Sequence, residues 1–307
     1  LTEGLSGPRV ERVELPAPAG VIGGGILAEG RSIYFAGAGG DGAGDGPAAE
    51  LWRLDLPGLA WHRLADVPAQ VRGADFARYG GETLALLAGS ARPAGAEVVP
   101  ASFVYDLEFD DWARGPAFAH HRSGFRLVEH GGALWLFGGS CAGGDTEDRA
   151  PLTIEHWPAG AEGFEPSGVE LPSPRRDFAA TLIGDRYQLV GGVGEDGSLL
   201  SDALFFDFNT RTWTPCAAPP VARQGAELVQ IGEAVYLVGG REPGGAEGAL
   251  KACTRVERFD PQTDQWSELI GNLGTEEREL AAFELDGCLH VLALGPRSVE
   301  VLQIHVR

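Results

Sequence analysis

An aromatic or apolar residue followed by Asp, with Trp six positions beyond that Asp, recurs four times: Asp55 to Trp61, Asp106 to Trp112, Asp207 to Trp213 and Asp260 to Trp266. Successive copies lie about fifty residues apart, with one interval doubled. A degenerate fifth copy fills that gap, with Pro158 in the Asp slot and Phe164 in the Trp slot. Runs such as DPQTDQW at 260–266 and DFNTRTW at 207–213 place turn-forming Asp, Pro, Asn and Thr between strand-like stretches. The physics is that of a β-hairpin, with the Trp at a fixed inward position of the returning strand. Any fold for this chain must therefore be an array of similar β units.

Upstream of each such hairpin lies a second one that ends in small residues. The clearest copies are Leu134–Gly139, Tyr187–Gly192 and Val235–Gly240, and degenerate copies are Tyr34–Gly37, Leu86–Gly89 and Leu292–Gly295. Each follows a tight turn rich in Gly or Asp, such as Ile183-Gly184-Asp185 or Leu285-Asp286-Gly287. Apolar, aromatic and β-branched runs bounded by such turns are strands. The 46 Gly and 20 Pro among 307 residues argue against a helical protein, since both residues break helices.

The diglycine, the aromatic-Asp pair and the downstream Trp together resemble the Kelch repeat, and the resemblance covers essentially the whole chain. It implies an all-β fold, a single six-bladed Kelch-type β-propeller domain over 1–307. The blades fall at about 20–69, 70–120, 121–174, 175–220, 221–273 and 274–307. The last is one strand short, and Val10–Pro16 (within 8–16) reads like the strand-to-Pro ending of the others. The N-terminal strand is therefore expected to complete the last blade and remove its open edge.

Charge narrows the partners. A net charge of −20, with Lys251 the single lysine, repels phosphate backbones and anionic lipid, so neither nucleic acid nor a membrane surface is an expected partner. No apolar run approaches the roughly 18 residues that a spanning helix needs. Cys141, Cys216, Cys253 and Cys288 show no CxxC pair, so no metal or redox motif is expected. Ordinary small or half-buried cysteines are the leading reading. On the propeller reading Cys141, Cys216 and Cys253 lie toward one face, and a Cys216–Cys253 disulfide between adjacent blades is the alternative if the protein is exported. The compartment stays open, with a periplasmic or secreted location preferred to the cytoplasm. GGDGAGDG at 39–46 lacks the strand-to-helix context of a nucleotide loop, and its Asp41 and Asp45 lack calcium-loop order.

A propeller binds ligands at the mouth of its central channel, so the residues just before each first strand are the candidates. Arg72, Arg122, Arg176 (with Arg175 beside it), Arg223 and Arg278 stand there in five blades, while blade 1 has Val21 or Ile22. Like charges so gathered are either paired to local carboxylates (Asp75, Asp177, Glu276, Glu277 and Glu279 are near in sequence) or offered to an anion through bidentate forks. His120 and His121 precede Arg122; His121 and Glu279 are weak candidates for proton transfer. The remaining histidines show no ligand spacing. The Kelch copper-radical oxidases need a Tyr and His ligand set that Tyr34, Tyr79, Tyr105, Tyr187 and Tyr236 do not supply. Glu284, Asp286 and His290 miss the iron-site spacing of the plant specifier proteins and read as a turn and strand.

The leading expectation is a stand-alone, monomeric and bacterial binding module that captures an anionic small molecule or acidic peptide at the Arg-lined mouth, without a cofactor. The resemblance to the bacterial sialic-acid epimerase keeps an epimerase or mutarotase of an acidic sugar as the alternative, and a purely structural propeller as a second. The loops at 38–50, 90–101, 140–151, 193–202 and 241–252 are expected to rim the same face.

Overall fold

The structure is a computed structural model and describes residues 8–18, 21, 24–37, 49–92, 99–116, 122–140, 152–244, 248–275 and 278–306. The expected acid–base residue His121, with His120, Asp41, Asp45, Cys141, Glu276 and Glu277, lies outside the described residues. No helix occurs among the described residues. After the N-terminal strand β1 (Arg9–Pro16), twenty-five further strands follow in chain order among the described residues.

The chain resolves into two compact units, Pro18–Asp177 with Gly194–Gly197, and Leu1–Ala17 with Phe178–Val193 and Ser198–Arg307. The first holds three four-stranded antiparallel sheets. Blade 1 is β2 (Gly25–Glu29), β3 (Ser32–Ala36), β4 (Leu51–Asp55) and β5 (Ala60–Arg63). Blade 2 is β6 (Gln70–Arg78), β7 (Thr83–Arg92), β8 (Val99–Asp106) and β9 (Asp111–Arg114). Blade 3 is β10 (Ser123–His130), β11 (Ala133–Ser140), β12 (Thr153–Pro158) and β13 (Glu165–Glu170).

The second unit holds the other three. Blade 4 is β14 (Ala179–Ile183), β15 (Arg186–Val190), β16 (Ala203–Asp207) and β17 (Thr212–Cys216). Blade 5 is β18 (Glu227–Ile231), β19 (Ala234–Val238), β22 (Val256–Asp260) and β23 (Gln265–Ile270), with the small hairpin β20 (Arg241–Pro243) and β21 (Leu250–Ala252) between its second and third strands. Blade 6 is β24 (Glu279–Leu285), β25 (Cys288–Leu294), β26 (Ser298–His305) and β1. β1 runs antiparallel to β26 in unbroken register from Arg9↔His305 to Pro16↔Ser298, as the strand-to-Pro reading of the N-terminus expected.

Alternation along each second strand builds the core. In β19, Val235 and Leu237 join Phe205 and Val190 of blade 4, while Tyr236 and Val238 join Leu289 and Val291 of blade 6. β19 is buried on both faces along its whole length and reads as a continuous apolar run, whereas β15 and β25 each carry one buried polar residue, Gln188 and His290.

The recurring Trp has a second duty beyond filling this core. Trp112 Nε1 donates to Ala65 O at 2.8 Å while Asp110 Oδ1 accepts from Ala65 N, so one hairpin grips the segment leaving the preceding blade. Trp266 and Asp264 hold Ala217 in the same way. Asp110 and Asp264 sit at φ 51° and 54°, two residues before the Trp; a short polar side chain tolerates that left-handed backbone better than most.

The aspartate that opens each of these hairpin turns is itself a cap. Asp207 Oδ1 accepts from Thr210 N at 2.8 Å and Asn209 N at 3.0 Å. The bond from Thr210 N does most to hold its carboxyl below the ordinary 3.8. A depressed folded-state pKa gives stability that is present above the unfolded value and lost as pH falls through the folded one. The deficit of Asp207→Ala relative to the wild type should therefore be full at neutral pH and shrink below about pH 4, measured by denaturant unfolding at several pH values. A deficit that does not change with pH would assign the turn's stability to something other than the carboxylate.

Candidate functional site

A left-handed residue marks the beginning of the first strand in several blades: Gly73 (φ 55°) and Gly124 (φ 70°) near the start of β6 and β10, Asp177 (φ 53°) and Gly225 (φ 61°) just before β14 and β18. At Gly124 the backbone also approaches its neighbour closely. Asp177 N donates to Gly124 O at 2.8 Å, and a Cβ at Gly124 would lie 2.5 Å from Asp177 Oδ1. Two residues before these positions stand Val71, Arg122, Arg175 and Arg223.

The three arginines are among the most buried polar residues of the molecule, each at 1–2% exposure. Arg122 Nη1 donates to Gly138 O and Thr153 O, both at 3.2 Å, and Nη2 pairs with Glu155 of β12, which is fully buried. Arg223 Nη1 donates to Gly239 O at 3.5 Å, Nε to Val221 O at 3.3 Å, and Nη2 pairs with Glu257 of β22. In both blades one guanidinium thus ties the entry segment to the diglycine carbonyl and to an acid on the third strand. Arg175 donates to Ser173 Oγ at 2.6 Å.

The blade 5 pair continues outward as an alternating ladder. Arg255 reaches both Glu257, at 4.0 Å, and Glu242 of β20, and Lys251 of β21 meets Glu242 at 3.3 Å. Segment 241–252, expected as a loop, is in part this braced hairpin.

Blade 6 is built differently. Glu279↔Leu294 occupies the register of Glu227↔Val238, which places Thr275, buried at 3%, where blade 5 has Arg223. Glu300 keeps the acid position, and its partners are Arg12 of β1 at 3.2 Å and Arg278 at 3.7 Å. Arg278 also approaches Glu14 at 3.6 Å.

This architecture has known counterparts. The solved structure of YjhT superposes over 94% of this chain and 96% of its own with a TM-score of 0.74 at 17% identity, which establishes a shared fold. Kelch-like protein 23 of Homo sapiens is 24% identical over 252 residues, 77% of this chain and 42% of that protein. Kelch-like protein 25 of Homo sapiens is 30% identical over 104 residues, 32% of this chain and 17% of that protein. The chain thus spans less than half the length of these relatives. The Kelch motif model matches residues 222–269, which are blade 5 with its Arg223 entry segment.

The chain folds as a six-bladed Kelch-type β-propeller. Propellers of this family typically serve as protein-interaction modules.

Within the Kelch propeller, the sequence-predicted residues divide into groups. Arg122 and Arg223 occupy the buried slot. Arg176 and Arg72 stand one residue beyond it, because the strand entry is set by the left-handed residue rather than by distance from the next turn; Arg175 and Val71 hold the slot instead. Arg176 pairs with its neighbour Asp177, with 38% of its side chain exposed, and Arg278 is 31% exposed. Backbone pairing places Arg72 opposite Ser90 in β6.

Asp75 accepts from Leu127 N at 2.7 Å and lies 3.9 Å from Arg126. Glu279, the second acid–base candidate, opens β24 as an exposed residue. The Cys216–Cys253 disulfide does not form. Both are free; Cys253 Sγ meets Arg223 Nη1 at 3.2 Å and Cys216 Sγ faces Gln188 Nε2 at 3.8 Å. Glu284 accepts from Gly287 N at 2.8 Å and His290 stacks on Phe283, so this trio is the turn and strand it was read as. No group of three or more His, Cys, Asp or Glu residues suited to a metal ion occurs among the described residues.

Sequence reasoning missed the buried acids. Glu155 and Glu257 each stand three residues before the Asp slot of their repeat, where blades 1, 2 and 4 carry Trp52, Phe103 and Leu204. A charged residue at a position that is otherwise apolar was the available signal.

Proposed function

We propose that this Kelch propeller is a protein-interaction module in which each unit, taken by itself, offers a half-exposed arginine beside a first strand to an acidic segment of the partner. These are Arg176 in one unit and Arg278 in the other, with Arg72 belonging to the set by sequence position. The observation that carries this reading is the division of labour among the arginines. Arg122 and Arg223 spend their donors on buried glutamates and backbone carbonyls, whereas Arg176 and Arg278 keep exposed faces and local ion pairs. An exposed ion pair contributes only about 0–1 kcal/mol, so a partner carboxylate displaces the local one at small cost. The net charge of −20 repels an acidic partner at long range, which leaves recognition to short-range bidentate contact.

Thermal unfolding with acidic peptides, uronic acids and sialic acid tests this. A ligand that binds only the folded state raises the midpoint. The expected result is a rise with an acidic peptide that Arg176→Ala or Arg278→Ala diminishes, with the unliganded midpoint moving by about 2 °C or less. No rise with any peptide would refute the acidic-segment reading. A rise with an acidic sugar alone would replace it with carbohydrate chemistry of the epimerase kind.

A further inference from the structure

Blade 6 carries a row of three chemically complementary side chains that the interaction reading does not use. β25 begins at Cys288 and β26 ends at His305, one step beyond the registered pair Leu289↔Ile304, and β1 supplies Glu11 beside them. Cys288 Sγ lies 3.5 Å from His305 Nδ1, and His305 Nε2 lies 3.4 Å from Glu11 Oε1. The second approach is an electrostatic contact rather than an aligned hydrogen bond. A carboxylate on the Nε2 side favours the tautomer protonated there, which leaves the Nδ1 lone pair toward the thiol.

The surroundings separate this thiol from Cys216 and Cys253, the other cysteines among the described residues. Burial pushes the Cys216 thiol up to about 11 and raises that of Cys253, and the groups at their sulfurs are an amide and a guanidinium, neither of them a base. Cys288 is half-buried and has an imidazole at its sulfur. His290, two residues along β25 and so on the same face, is 7% exposed, and its Nδ1 makes no hydrogen bond. Burial favours the neutral form of that ring. The charged groups around the row are Arg9, which meets Glu11 at 2.8 Å, and Glu284 and Asp286 of the turn before Cys288.

We propose that Cys288 is a thiol-exchange site, in which His305 takes the thiol proton, Glu11 orients and supports the imidazolium, and the thiolate attacks a small aliphatic disulfide. The bond from Cys288 Sγ to one sulfur forms as the disulfide bond breaks, and the departing thiolate takes the proton from His305. The small disulfide is the oxidant, and the products are a mixed disulfide on Cys288 and one free thiol.

The test uses the full chain with hydroxyethyl disulfide, a neutral probe, and follows the mixed disulfide on each cysteine peptide by mass spectrometry across pH. Near pH 7, Cys288 should react about tenfold faster than Cys216 or Cys253. His305→Gln should slow Cys288 by about tenfold near pH 7 yet match the wild type near about pH 10, where a thiol ionises without a base. Glu11→Gln should fall between the two. The proposal is overturned if Cys288 reacts no faster than Cys216 and Cys253, or if His305→Gln changes nothing near pH 7. It is equally overturned if His305→Gln is slow at both pH values, because the imidazole would then govern access alone.

Discussion

Arg122→Ala and Glu155→Ala should each lower the unfolding free energy by about 3–5 kcal/mol, because each leaves a buried charge without its partner. Neither residue reaches solvent, so water cannot take over the missing contact. Arg122→Ala also strips the donors from Gly138 O and Thr153 O, which adds to the loss on that side. The double variant Arg122→Met with Glu155→Leu should recover most of the deficit, since apolar residues of similar volume often replace a buried ion pair at little net cost. Arg176→Ala, by contrast, should change stability by less than about 1 kcal/mol. Denaturant unfolding of the four proteins decides the matter. If either alanine variant at the buried pair costs less than about 1 kcal/mol, the pair is not a strut.

Deleting residues 1–17 should be harsher still. It removes a strand paired over eight positions and withdraws Val10 from the cluster of Leu302, Ile304 and Leu289. At about 0.5–1.5 kcal/mol net per backbone hydrogen bond, the lost ladder alone amounts to several kcal/mol. The bare edge of β26 then offers unpaired donors and acceptors to any other strand, the usual route to aggregation. The expected outcome is loss of the cooperative thermal transition and a shift to large species in size-exclusion chromatography, with partial rescue by a peptide of residues 8–17. A truncated protein that stays monodisperse and unfolds at the wild-type midpoint would show that β1 is dispensable.

How much of this was legible in the sequence follows from the range of each interaction. The Trp hairpins are encoded within seven residues, by turn chemistry and a fixed inward position, and they form as read. The closing strand was legible because Val10–Pro16 copies the ending of the other blades, while the last blade lacked one. The arginine slot was found in outline, but its register slipped by one at Arg72 and Arg176, because Gly73 and Asp177 set the strand entry through their backbone conformation. The acids that complete it, Glu155 and Glu257, lie 33 and 34 residues downstream of their arginines, and no local pattern announces a pairing at that distance. The alternative of a Cys216–Cys253 disulfide is not realised, for a related reason. Cys253 lies in the connection between β21 and β22, where its sulfur meets the guanidinium of Arg223, and no local pattern announces a contact 30 residues away.

The pairing of Arg9 with His305 has a mechanical corollary. In an antiparallel pair the outer end of the first strand and the outer end of the last one meet at the same edge. A pull applied at these two points loads the ladder one bond at a time, as a zipper is opened, rather than all bonds together as in shear. A tether attached at Arg9 and His305 would therefore peel β1 away at low force, whatever the strand contributes to thermal stability. Joined instead by a short linker, those two points would accept new termini elsewhere in the chain.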